Sequence, residues 1–131
     1  LSFLRFVFPM FPVIFLDDAN SIEVLKGGAD ILRQGKTLFI FPEGTRSADG
    51  QILDFKSGAA FLAKNLNIKI IPVSVKGGHD IWPRDRRLPH FITPLRGKVY
   101  VGDEIDPGDY KSVESLNLAL QKTIGKMLES M

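Results

Sequence analysis

Seven consecutive residues, Phe41-Pro42-Glu43-Gly44-Thr45-Arg46-Ser47, hold the densest chemistry in this chain. They directly follow the apolar run Thr37–Phe41 (TLFIF), which reads as a central strand. Ligands of α/β sheets gather beyond the carboxyl ends of strands, so the heptad lies where an oxyanion would bind. Gly44 lets the backbone approach a ligand and aim its N–H groups at it. Thr45 and Ser47 supply hydroxyl donors, and Arg46 offers a planar fork matched to phosphate. Glu43 is placed to orient Arg46 or to accept a hydroxyl proton, a supporting catalytic role. The same residues also suit an ordinary strand-to-loop turn carrying a surface Glu–Arg pair.

The elements around the heptad are legible from periodicity. Val13–Leu16 is a short continuous apolar run suited to a buried parallel strand, and Asp17 and Asp18 end it. Asn20 and Glu23 form a capping-box pattern ahead of Ile22, Leu25, Ala29 and Leu32, and Gly35 stops that helix. A second helix is expected from about Ser57 to Asn65, with Ala60, Phe61 and Ala63 facing the core. Lys69–Val75 reads as a strand despite Pro72, which marks an edge or a bulge because proline donates nothing to a ladder. Residues 79–96 show no period and read as an extended loop. Lys98–Val101 is a further strand, and Asp106–Asp109 a turn. The last helix spans about Val113 to Leu128, with Val113, Leu116, Leu120, Ile124, Met127 and Leu128 in one stripe. This alternation implies an α/β fold: a mixed, largely parallel sheet flanked by helices, forming one domain over residues 1–131.

Composition narrows the function classes. The absence of cysteine removes disulfides, thiolate metal sites and a cysteine nucleophile. A net charge of +2 is too small to indicate nucleic-acid binding. Arg84, Arg86 and Arg87 crowd one stretch that suits either an anionic partner or a solvated loop. The apolar stretch Leu1 to Leu16 contains Arg5, Pro9 and Pro12, unlike the roughly 18 uninterrupted apolar residues of a membrane-spanning helix. It reads as the end of a buried element followed by the Val13–Leu16 strand, with a membrane-surface role as the alternative. Trp82 and Phe91 are expected to cap the core or to meet a lipid interface, the core being the preferred reading. His79 with Asp80 and Asp85 lacks fixed ligand spacing, so no metal site is expected.

FPEGTRS resembles the third motif block of the PlsC-like glycerol-3-phosphate and 1-acylglycerol-3-phosphate acyltransferase superfamily. Asp54-Phe55-Lys56-Ser57-Gly58-Ala59-Ala60 resembles the segment that follows it. Ile70-Ile71-Pro72-Val73-Ser74-Val75 resembles the fourth block, and Gly97–Gly102 with Ile105 and Asp106 the closing strand. The resemblance runs from Pro12 to the end. It implies transfer of a fatty acyl group from acyl-CoA or acyl-carrier protein to a glycerol-phosphate or lysophosphatidate hydroxyl in phospholipid biosynthesis. No cofactor is implied beyond that acyl co-substrate. Glu43, Gly44, Thr45, Arg46, Ser47 and Lys56 would hold the acceptor, and Pro72 would belong to the acyl-donor side. The setting implied is the cytoplasmic side of a membrane, peripheral or anchored through segments outside these residues.

The family's base is a histidine held by an aspartate five positions later. Five positions after His79 stands Arg84, and five after His90 stands Leu95, so neither forms the pair. The resemblance places that pair upstream of Leu1, which predicts no acyl transfer by these 131 residues alone; the alternative is a phosphate- or lipid-binding homologue without catalysis. Asp18 stands near the position where the family's second block carries a phosphate-gripping Arg, which leaves more of that work to Arg46, aided by Lys56 or Arg84.

Overall fold

A computed structural model describes residues 21–85, 88 and 97–131. The Val13–Leu16 strand, Asp18 and Asn20, and Arg86, Arg87, His90 and Phe91, lie outside the described residues. The chain divides into two compact units, Leu1–Leu38 and Phe39–Met131.

In the first unit, helix α1 spans Ser21–Arg33. Arg33 pairs with Asp30 at 3.1 Å, placing a cation in the last turn where the helix dipole favours it. Gly35 adopts φ 72°, and the Gly35 and Lys36 N–H groups close back on Leu32 and Ile31 carbonyls. This is the glycine stop that the sequence predicts.

The described part of the second unit is built on two long helices, a single-turn helix, a 3-10 turn and one ladder. Helix α2 spans Gly58–Leu66 and ends at Asn67, which adopts φ 53° and caps Ala63. Ala60, Leu62 and Ala63 are its buried residues. Phe61, expected inside, is 43% exposed. At about 100° per residue the three buried positions occupy one arc, and Phe61 points opposite its centre. Strand β1 (Val73–Lys76) is followed by the single-turn helix α3 (Gly78–Ile81), within the stretch read as loop. Strand β2 spans Lys98–Val101 as predicted.

β1 and β2 pair antiparallel, with Val73 opposite Val101 and Lys76 opposite Lys98. An isolated bridge joins Ile70 to Ile105. From that bridge to the Val73–Val101 pair, one strand advances three residues and the other four, so the second strand carries a bulge. Pro72 lies opposite it: its carbonyl accepts from Gly102 N–H at 2.9 Å, and its missing donor costs no ladder bond. The strand predicted over Lys69–Val75 is thus shifted and broken at the proline.

A 3-10 turn, Pro107–Asp109, is capped by the Asp106 carboxylate accepting from Gly108 N–H at 2.7 Å. Helix α4 spans Val113–Glu129 behind a reciprocal cap of Ser112 and Ser115. Phe55, Ala60, Ala63, Leu116 and Leu120 form the core, with Ile70, Ile105, Val113 and Ile124 packed around it.

Thr37–Phe41 departs from the expectation. It forms no strand among the described residues, and Phe39 and Phe41 are 73% and 76% exposed. An apolar run becomes a strand only when a neighbouring strand takes its N–H and C=O groups; among the described residues no strand pairs with this run, and Phe41 C=O is taken by Gly44 N–H in the following turn. The ladder that is described is the antiparallel part of the α/β fold.

Candidate functional site

The heptad begins with a tight turn. Gly44 N–H donates to Phe41 C=O at 3.1 Å, placing Pro42 and Glu43 at the corners and Gly44 at the exit. Pro42 presets the first corner, and Gly44 takes φ 69°, which a side chain disfavours. Pro42 C=O in turn accepts from Lys56 N–H at 2.8 Å, tying the turn to the following segment. The Lys56 side chain crosses directly over the glycine. A Cβ at Gly44 would stand 2.8 Å from Lys56 Cε and 3.0 Å from Nζ. Gly44 is therefore required for its backbone angle, while the Lys56 tip lying against it is the end of a flexible side chain that can move.

Helix α4 holds the two residues that precede Lys56. Asn117 Nδ2 donates to Phe55 C=O at 3.0 Å, and Gln121 Oε1 accepts from Phe55 N–H at 3.4 Å. Gln121 Nε2 also donates to Asp54 Oδ1 at 3.2 Å. With the Phe55 ring in the core, both backbone groups of that residue are fixed by side chains from a distant helix. Sequence reasoning missed Asn117 and Gln121, because their helical spacing alone does not name a target.

Glu43 does not pair with Arg46. Its Oε2 accepts from Leu53 N–H at 2.7 Å, closing the loop between them. The carboxylate is half-buried and serves the turn rather than the guanidinium. Ser47 is likewise engaged locally: its hydroxyl donates to Asp49 Oδ1 at 2.8 Å, and the same oxygen accepts from Gln51 N–H at 3.0 Å. The Gln51 N–H, followed by the Ser47 hydroxyl, holds the Asp49 carboxyl below its ordinary pKa. Thr45 is exposed beside them.

Arg46 reaches 36 to 38 residues along the chain. Nη1 donates to the carbonyls of Trp82 at 3.4 Å and Pro83 at 3.0 Å, and Nη2 to that of Arg84 at 3.4 Å. Its guanidinium carbon lies 4.9 Å from the centre of the Trp82 ring. Both terminal nitrogens are thus engaged, while Nε–H has no hydrogen-bond partner among the described residues. Among the described residues no carboxylate lies within ion-pair distance of Arg46. Among the described residues the cation is held by neutral carbonyls and an aromatic face, with its Nε–H open. This arrangement suits an oxyanion.

The acyltransferase family pattern matches residues 1–76. The chain belongs to the acyltransferase family. It is similar to a chloroplastic 1-acyl-sn-glycerol-3-phosphate acyltransferase of Arabidopsis thaliana, 35% identical over 72 residues, covering 55% of this chain and 20% of that protein. A probable 1-acyl-sn-glycerol-3-phosphate acyltransferase of Mycoplasma pneumoniae is 33% identical over 113 residues, covering 81% of this chain and 42% of that one. The crystal structure of the 1-acyl-sn-glycerophosphate acyltransferase PlsC from Thermotoga maritima superposes with a TM-score of 0.76 at 28% identity. That match covers 85% of this chain and 45% of the PlsC chain. The fold of this acyltransferase-family chain is accordingly the PlsC-like α/β fold, spanning less than half the length of these relatives.

The remaining positions predicted for this acyltransferase site are placed as follows. Pro72 is among the most completely buried side chains, so any effect on an acyl donor runs through the ladder it shapes. Arg84 is exposed, and its carbonyl is already taken by Arg46. His79 lies in α3 against Gly50, its Nδ1 buried without a partner among the described residues. Among the described residues no group of His, Asp or Glu is arranged to hold a metal ion. Trp82, expected to cap the core, is half-buried with its ring against Arg46. No spacing rule links positions 46 and 82. The only sequence signal was a tryptophan in a polar loop close to basic residues.

Proposed function

We propose that this chain grips the phosphate of a lysophosphatidate or glycerol-phosphate acceptor during acyl transfer from acyl-CoA or acyl-carrier protein. The observation that carries the reading is the guanidinium of Arg46, oriented by three carbonyls and facing no carboxylate among the described residues. A phosphate would accept from its open Nε–H, with Lys56 supplying a second positive charge above Gly44. Glu43 supports the site by closing the loop at Leu53. The chemistry still needs a base to take the acceptor's hydroxyl proton, and neither His79 nor His90 is followed by the aspartate the family uses. The work is set at the cytoplasmic face of a membrane, where both the lipid acceptor and its product reside.

The test compares Arg46→Ala with the parent in the complete gene product, using lysophosphatidate and the matching monoacylglycerol as acceptors. The acceptor KM should rise sharply for the phosphorylated substrate, with the acyl-donor KM unchanged. An equal loss with both acceptors would remove the phosphate grip. A second reading, binding without turnover, rests on neither His79 nor His90 being followed five positions later by an aspartate. It predicts lysophosphatidate binding by the complete gene product with no acyl transfer.

A further inference from the structure

We propose that Trp82 is a positioning residue for Arg46, setting the plane and direction of the guanidinium that meets the acceptor's phosphate. The inference rests on the phosphate reading of Arg46 and adds to it the element that holds the group ready. An arginine side chain has four rotatable bonds before its head group, so a surface guanidinium samples many orientations. Here the Trp82 ring lies 4.9 Å from Arg46 Cζ and restricts the plane. The carbonyls of Trp82, Pro83 and Arg84 then fix rotation within that plane. Stacking and hydrogen bonding act on different degrees of freedom, and together they leave Nε–H available.

The supports are themselves anchored. The 49–50 turn abuts α3, where a Cβ on Gly50 would stand 3.4 Å from His79 Cβ. On the far side, a Cβ on Gly97 would stand 3.2 Å from Ile81 Cδ1, so α3 is packed on two sides just before Trp82. An indole in that position excludes water from one face of the guanidinium. This strengthens the interaction of the cation with an incoming anion.

Trp82 is the single tryptophan of these 131 residues, and the difference in emission between the parent and Trp82→Phe reports on this position. The probe is a short-chain lysophosphatidate below its micellar concentration, with the matching monoacylglycerol as the neutral control. Binding is measured by calorimetry for the parent, Trp82→Phe, Trp82→Leu and Arg46→Ala, each checked for folding by far-ultraviolet circular dichroism. Loss of the ring should weaken lysophosphatidate binding about five-fold in Trp82→Leu, the scale of one partly desolvated cation–π contact. Trp82→Phe should stay within about two-fold because a ring face remains. Monoacylglycerol binding should not change. Loss of binding in Arg46→Ala with parent-like binding in Trp82→Leu would overturn the role of Trp82 and leave the phosphate reading standing. Parent-like binding in Arg46→Ala would overturn both. If Trp82→Leu does not fold, the parent titration decides. Lysophosphatidate must change the Trp82 emission with the midpoint found by calorimetry, and an unchanged emission refutes the proposal.

Discussion

Glu43 offers the sharpest test of how the turn is held, because the structure gives its carboxylate a single backbone partner ten residues away. Its Oε2 accepts from Leu53 N–H at 2.7 Å in a half-buried position. A hydrogen bond to a charged acceptor contributes about 1.5–3 kcal/mol when well buried, and partial exposure brings this contact towards the lower end. Glu43→Ala removes the acceptor and leaves an N–H facing a half-buried gap, for an expected loss of about 1.5 kcal/mol. Glu43→Gln keeps an oxygen in the same place and loses only the charge, for about 0.5–1 kcal/mol. Urea unfolding gives the two totals. Amide exchange at Leu53 gives the local effect, which should accelerate in the order parent, Gln, Ala. If Leu53 exchange is unchanged in Glu43→Ala while Arg46 loses its hold on the 82–84 carbonyls, the carboxylate orients the guanidinium after all and the structural argument fails.

Gly44→Ala should cost about 1–2 kcal/mol in urea unfolding through its positive φ. Lys56→Ala in the same chain should not restore it, since the lysine tip can swing aside; full rescue would mean that the contact rather than the backbone angle sets the cost. Asn117→Ala combined with Gln121→Ala frees both backbone groups of Phe55, and should lower stability by about 2 kcal/mol and weaken lysophosphatidate binding through Lys56. Lys64→Met strands the Pro107 and Tyr110 carbonyls that its ammonium bridges, with an expected loss of about 1–3 kcal/mol by thermal unfolding. Asp49 has its folded pKa lowered, so its contribution is present above the unfolded value of about 3.9 and is lost as pH falls through the folded value. Amide exchange at Gln51 should therefore become less protected only in that acid range; the same loss near pH 6 would assign it to another group.

Much of the framework was legible because it depends on neighbours in the chain. The stop at Gly35, the turn that Pro42 opens and Gly44 closes, the Lys98–Val101 strand and the Leu116, Leu120, Met127 stripe all follow from rules acting over a few residues. The residue types proposed to meet a phosphate were legible on the same terms, as a glycine followed by hydroxyls and an arginine. Their partners were not. Phe61 and Ala60 are both apolar in one helix, and only the position of α4 decides which of them is buried. Thr37–Phe41 has the composition of a strand, yet pairing is a property of two segments and none of the described residues supplies the second.

The sequence by itself determined which chemical groups stand at residues 41–47, since glycine, hydroxyls and guanidinium are chemical properties carried by each residue wherever it lies. Tertiary structure alone decided what holds them: Leu53 for Glu43, the Trp82 ring and three carbonyls for Arg46, and Asn117 and Gln121 for the segment bearing Lys56. These contacts join residues from ten to more than sixty positions apart, where the chain's path through the core, rather than local preference, sets which groups meet.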